Sequence, residues 1–409
     1  MPEQQQSLTL QQAIDLGVQH HNAGRLPEAE NIYQQILQAD PNQPVALHLL
    51  GVIAHQTGKN DIAVDLITKA LAIKPDYPDA HYNLGNALRE LGKPDDAVTS
   101  YRKALAIKPD LPEAHNNLGL ALQDLGKLDE AVASYPKALA IKPDFAEAHY
   151  NLHALLLDPD DLAPSIKCME RAVEVDLSNT KYRFILGMLW DYSGDAQRAT
   201  IHFDIVENGE SFHRAKLDAW RYIKCANNNV PPIIGSSIQA FKLGIDAAVV
   251  DGLILEFGVR FGTSIRQIAA LVDQDVHGFD SFQGLPESWH HVPKGSYSTK
   301  GVSPFVPENV TLHEGWFEET LPGFVKKHPG PVRFMNIDCD IYSSTKTVLE
   351  YFAEQIISGT VIVFDEYIGN EHWREDEFKA FQEAVLKHGW DYEYLGFSFM
   401  TKQVVVRIN

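Results

Sequence analysis

Cysteine is scarce in this 409-residue chain: Cys168, Cys225 and Cys339 are odd in number and widely separated. A disulfide scaffold and a cysteine-rich zinc site are both excluded, and a reducing compartment is expected. Cationic side chains are also in short supply, with 35 Lys and Arg against 55 Asp and Glu, giving a formal charge of −20. Affinity for DNA or RNA rests on cations neutralising phosphate, so no nucleic-acid partner is expected. No apolar run approaches the ~20 residues of a membrane span, so no membrane partner is expected either. The opening residues, MPEQQQSLTL, lack the basic and apolar segments of a secretory leader. Cytoplasmic localisation is the resulting expectation.

What the chain does have is organised in two ways. At 44% hydrophobic and 22% charged residues it can build ordinary cores, and its length calls for more than one. In the first half the order is periodic. Gly17, Gly51, Gly85, Gly119 and Gly187 are spaced by 34 residues or a multiple of it, with His153 in the missing place. Gly24, Gly58, Gly92, Gly126 and Gly194 keep the same period, as do Ala29, Ala63, Ala97, Ala131 and Ala199. In HYNLGNALRELGKPDDAVTSYRKALAIKPD, Leu84, Gly85 and Leu88 share one helical face and Gly85 permits close helix approach. Gly92 suits the turn, Ala97, Tyr101 and Ala104 line the second helix, and Lys108–Pro109 ends it.

This pattern resembles the tetratricopeptide repeat (TPR), an all-α solenoid of helix pairs. About six units fit residues 11 to 206. Pro136 inside a second helix predicts a kink or a lost hydrogen bond. The fifth unit, with Pro159, Pro164 and no glycine at the repeat positions, predicts irregularity. Asn83, Asn117 and Asn151 recur in phase and resemble the asparagine ladder that holds peptide backbone in O-GlcNAc transferase repeats. A consensus polar position on a solvated groove is the alternative. On either reading the concave face implies a protein or peptide partner.

The period vanishes after about residue 207. Residues 207–235 read as a helical linker, with NNNVPPIIGSS (227–237) as the boundary signal. Beyond it, short β-branched runs alternate with helical stretches, so residues 236–409 are expected to form an α/β domain. Strands are expected at 253–257, 276–280, 309–314, 332–338, 360–365, 392–399 and 403–408. Helices are expected at 263–272, 317–327, 343–357 and 375–388. Only Met400, Thr401 and Lys402 link the last two strands, too few for a parallel crossover, so they pair antiparallel. Five parallel strands and a terminal antiparallel hairpin resemble the Rossmann-like, seven-stranded sheet of class I S-adenosylmethionine (SAM) methyltransferases.

The chemistry-bearing residues gather at predicted strand ends. LEFGVRFGTS gives Glu256-x-Gly258-x-x-x-Gly262 followed by Thr263 and Ser264, where glycines let a ligand approach the backbone. It resembles the first methyltransferase motif and lacks the dinucleotide spacing G-x-G-x-x-G, which disfavours an NAD-dependent oxidoreductase. Asp280, followed by Ser281, stands where an acid takes the ribose hydroxyls of a nucleoside cofactor; the alternative is a helix cap. Gly315 and Trp316 follow the third strand, in reach of an adenine, with a core role for Trp316 equally open.

GFDSFQGLPESW, NIDCDIYSST and IVFDEY, in that order, resemble the macrocin/mycinamicin sugar O-methyltransferase family over roughly residues 236–400. The resemblance implies SAM as cofactor, Mg²⁺ held by Asp338, Asp365 and Glu366, and Asp340 as base. Glu366 stands where that family has a second Asp. Physically, a cation would explain why carboxylates are tolerated beside Phe334, Met335 and Ile337. In the long loop after the second strand His290 and His291 are candidate substrate contacts; Glu371, Trp373 and Glu377 are candidates to shape an acceptor pocket. The expected function is SAM-dependent O-methyl transfer to a sugar or other polyol-bearing acceptor, with repeats recruiting a partner. The alternative is an interaction scaffold whose α/β domain binds SAM without catalysis.

Overall fold

The computed structural model describes residues 8–226 and 230–409. Residues 1–7, from the stretch read for a secretory leader, and residues 227–229 of the expected boundary signal lie outside them. The chain forms two compact units, one running to Pro143 and the other from Asp144 to Asn409.

In the first unit the helices come in antiparallel pairs at the period of the sequence. They are α1 (Leu10–Asn22) with α2 (Leu26–Ala39), α3 (Pro44–Gln56) with α4 (Asn60–Ile73), α5 (Pro78–Glu90) with α6 (Pro94–Ile107), and α7 (Pro112–Asp124) with α8 (Leu128–Ile141). The first glycine series makes the pairing possible. A Cβ on Gly85 would lie 2.5 Å from the buried Tyr101 ring, and one on Gly119 would lie 2.7 Å from that of Tyr135. Gly92 takes φ +65 and closes the turn between the paired helices, a conformation costly for any residue with a Cβ. The expectation for Pro136 is met only in part: α8 is continuous through it, so the loss is one backbone donor.

The second unit begins with two more pairs, α9 (Ala146–Leu155) with α10 (Ala163–Val175) and α11 (Thr180–Tyr192) with α12 (Ala196–Glu207), then α13 (Ser211–Cys225). The irregular fifth unit shows as a first helix of 10 residues where α7 has 13. His153, in the place of a glycine, is fully buried there, and burial lowers its pKa to about 4, so it is neutral. These helices share a core with the sheet: Phe184 meets Phe399 at 4.9 Å and Trp220 meets Phe397 at 5.7 Å between ring centroids. That shared core is why the compact units divide at Pro143 although the 34-residue period runs on to about residue 206.

After α14 (Ser237–Ala247) the α/β domain follows the expected order, with β1 (Leu253–Phe257), α15 (Thr263–Ala269), β2 (Val276–Asp280), β3 (Val310–Glu314) and α16 (Phe317–Lys327). Then come β4 (Val332–Ile337), α17 (Tyr342–Tyr351), β5 (Val361–Phe364), α18 (Glu377–His388), β6 (Tyr392–Phe397) and β7 (Val404–Ile408). Among the described residues these make a seven-stranded sheet in the order β3-β2-β1-β4-β5-β7-β6. β1 to β5 are parallel, and β7 runs antiparallel to both β5 and β6. β1, β4 and β5 are largely buried on both faces because helices cover both, as a parallel sheet requires. The order reverses between β1 and β4, which places the ligand crevice of such a sheet beyond their carboxyl ends.

Candidate active site

Two backbone contacts build that crevice. Gly258 follows β1 at φ +95 and donates its N–H to the Phe279 carbonyl at 2.9 Å. Asp338 follows β4 and donates to the Phe257 carbonyl at 2.8 Å. A Cβ on Gly258 would stand 1.7 Å from the Asp338 carbonyl oxygen, so only glycine lets the two strand ends cross.

Beyond the crossing lies a cavity of about 660 Å³. Of the residues singled out in the sequence, Gly258, Thr263, Ser264, Asp280, Ser281, Gly315, Trp316, Asp338, Asp340, Asp365 and Glu366 line it. Two do not. Gly262 takes φ +74 at the start of α15, and a Cβ there would meet Pro304 and the Arg266 guanidinium, on the side of the turn facing the loop. Glu256 is fully buried and holds α15 through a hydrogen bond that its Oε1 accepts from the Ser264 hydroxyl. Its Oε2 has no partner, and burial, then Asp365 and Asp280, push its pKa up to about 8.

Asp280 is fixed by two backbone donors, Arg260 N–H at 2.7 Å and Phe282 N–H at 2.6 Å. No helix begins there, so the helix-cap alternative gives way to a turn that aims the carboxylate. Arg260 lines the cavity with its guanidinium over the Phe261 and Tyr297 rings, at 4.6 and 5.0 Å from their centroids. Sequence reasoning passed over Arg260 and Tyr297; the only signal was a cation between the two glycines of FGVRFG.

The acids crowd the other wall. Asp340 takes φ +62, a left-handed conformation that a short polar side chain tolerates. Burial and then Glu366 push its pKa up to about 7, against the lowering influence of Lys402 and Arg260. Asp365 also titrates near 7, raised by burial, Glu366 and Asp340, while Gln403 donates to its Oδ1 at 2.7 Å. Burial raises Asp338 well above the carboxylate range. Glu366 meets the Lys402 ammonium at 2.6 Å through Oε1, and its Oε2 has no partner. Glu377, fully buried, accepts the Glu366 N–H at 3.0 Å. Lys402, Gln403 and the bond from Glu377 had no local signal, since the first two come from the link between β6 and β7.

The expected magnesium set fits this arrangement poorly. Asp338, Asp365 and Glu366 are not among the described groups of three whose ligand atoms converge within 4.8 Å. Lys402 already supplies the cation beside Glu366, and Gln403 occupies one oxygen of Asp365. Trp373, expected at the acceptor pocket, is a core residue packed on Tyr222 and Phe378.

On the repeats, Asn83 pairs with His48 Nε2 at 2.8 Å, and Asn117 donates to Tyr82 Oη at 3.2 Å and Asn86 Oδ1 at 3.0 Å. Both amides tie one repeat to the one before it. Asn151, in the second unit, is half-buried. No helix among the described residues is long and apolar enough to cross a membrane.

Residues 255–367 match the family model of a methyltransferase domain, and residues 53–92, 85–126 and 122–158 match that of the TPR repeat. No curated protein matches the chain. Among solved structures it is similar to pilF of Pseudomonas aeruginosa, at 19% identity over 53% of this chain and 96% of that one, TM-score 0.47. It is also similar to MamA, at 24% identity over 43% of this chain and 99% of that one, TM-score 0.37. A third is YrrB, a TPR protein with an unusual peptide-binding site, at 22% identity over 42% of this chain and 88% of that one, TM-score 0.36. Likenesses this partial carry no argument about activity. The family matches and the sheet order together say what the chain carries: TPR repeats and, after them, a class I methyltransferase domain with SAM as its implied cofactor.

Proposed function

We propose that the chain is a SAM-dependent O-methyltransferase acting on a hydroxyl of a sugar or other polyol-bearing acceptor. One observation carries this reading: a single cavity is lined both by seven of the nine residues expected at the cofactor and by Asp340. The residues suit SAM on the structure's own terms, with Gly258, Thr263 and Ser264 on the cavity wall after β1 and a carboxylate at Asp280 already aimed. When bound, SAM supplies an electrophilic methyl group. Asp280 accepts hydrogen bonds from a vicinal diol with the lone pairs its backbone donors leave free. Asp340 takes the proton of the acceptor hydroxyl, being poised near neutrality where a base is effective. Lys402 and Arg260 favour its ionised form. The cavity lining also includes Ser343, which donates to Glu287 at 2.6 Å, a polar pair that suits a hydroxyl-bearing acceptor.

The repeats would take a protein or peptide partner, with Asn83 and Asn117 setting the groove through their bonds between repeats. Titration calorimetry with SAM and transfer of labelled methyl to a panel of glycosides test the proposal. Micromolar SAM binding is expected, with transfer abolished in Asp340→Asn while SAM binding persists. Full activity in that variant refutes the assignment of the base. SAM binding without transfer to any hydroxylated acceptor favours the inactive scaffold.

A further inference from the structure

The long loop after β2 meets the segment between β5 and α18 at a pair of histidines. The His290 and His372 rings stack with centroids 3.9 Å apart and planes 19° apart. Glu375 lies beside them, its Oε2 3.9 Å from His372 Nδ1. The three side chains each offer a ligand atom within 4.8 Å of the others, the only such group among the described residues. Three ligands at zinc bond lengths stand ~3.4 Å apart, so small side-chain rotations close the set.

Three features prepare these residues. Asp376, 4% exposed, accepts from both Trp289 Nε1 at 3.0 Å and His290 Nε2 at 3.1 Å. That bond fixes the proton of His290 on Nε2 and leaves Nδ1 as the donor, the carboxylate–histidine arrangement that orients metal ligands. Trp289 and Val292 exchange backbone hydrogen bonds at 2.8 and 2.7 Å, holding His290 at φ +48. On the other side, His372 N–H donates to Asn370 Oδ1 at 2.9 Å and Glu375 N–H to the His372 carbonyl at 2.7 Å, which closes the turn between them.

We propose that His290, His372 and Glu375 form a site for a divalent transition metal of the zinc class. The site clamps the loop after β2 to the segment after β5. Two imidazoles and one carboxylate suit Zn²⁺ and not Mg²⁺, and the exposed side leaves room for water in the remaining position. The loop contributes Leu285, Pro286 and Glu287 to the cavity wall, while the other segment begins at Asp365 and Glu366, so the clamp would fix the two walls together. The inference stands apart from methyl transfer.

The test is calorimetry of the full, chelator-stripped chain titrated with zinc chloride, with Co²⁺ absorption as a second readout. One Zn²⁺ per chain at micromolar affinity or tighter is expected, with no heat from magnesium. His372→Ala and, separately, His290→Gln should weaken binding at least a hundredfold. Asp376→Asn, a change at a positioning residue, should weaken it roughly 10–100-fold and alter the Co²⁺ spectrum. Tryptophan fluorescence matching the unaltered chain establishes that each variant is folded. Absence of stoichiometric zinc binding, or binding unchanged in the His290→Gln/His372→Ala double variant, overturns the proposal.

Discussion

Glu256→Gln isolates what a buried acid costs this fold. The carboxyl is fully buried, its Oε1 accepts from Ser264, its Oε2 has no partner, and its pKa rises from 4.5 to about 8. The folded chain therefore binds a proton that the unfolded chain has lost, so the stabilising contribution is whole below pH 4.5 and disappears as pH rises through 8. The slope is ~1.4 kcal/mol for each pH unit between those values, or ~5 kcal/mol in all. Glutamine keeps the shape and the acceptor for Ser264 but does not titrate. The difference in unfolding free energy between the native chain and the variant should thus change by ~4 kcal/mol from pH 5 to pH 8.5, the native chain falling relative to the variant. The assay is urea unfolding followed by tryptophan fluorescence. All six tryptophans, from Trp190 to Trp390, lie in the second unit, so the signal reports that unit alone. A difference that stays constant across this range refutes the buried, proton-binding Glu256.

Four further outcomes are expected. Gly258→Ala forces a Cβ onto the Asp338 carbonyl at a left-handed φ and should cost ~2–5 kcal/mol in the same unfolding assay, with SAM binding lost in calorimetry. The acceptor-saturated rate should rise with pH around a midpoint near 7, because Asp340 must be ionised to take a proton; a flat profile between pH 6 and 8 counts against it as base. Lys402→Met should move that midpoint upward and Lys402→Arg should restore it, since the ammonium favours ionised Asp340. Turnover of the metal-stripped chain should be unchanged by added magnesium chloride, and a rate that magnesium alone restores would reinstate it at Asp338, Asp365 and Glu366.

The sheet was legible because its strands are bounded by their own chemistry. β1, β2 and α16 begin and end where the sequence predicts, between glycine, proline and charged turns. The short link after β6 forced the antiparallel hairpin, and two glycine series forced the helix pairs. What was not legible depends on residues brought together from a distance. Lys402 and Gln403 read only as a connector, yet the turn that reverses the chain lays them on Glu366 and Asp365, 36 and 38 residues earlier. No period links such positions. Trp373 was expected to shape an acceptor pocket, and only its packing on Tyr222 shows it to be core. The in-phase asparagines were visible as a ladder, but their bonds to His48 and Tyr82 follow from how neighbouring repeats stack.

The core shared by α9–α13 and the sheet has a practical bearing on how the methyltransferase domain can be excised. Gly235 sits so close to Ala154 that a Cβ would fall 1.7 Å from its carbonyl oxygen, and Ile234 donates to the Phe397 carbonyl at 2.8 Å. A fragment starting at Ser236 would strip Phe397 and Phe399 of their aromatic cover and leave a greasy, aggregation-prone flank. One starting at Asp144 keeps that flank sealed. The last two helix pairs, written in the alphabet of the repeats, serve as part of the methyltransferase domain's own wall.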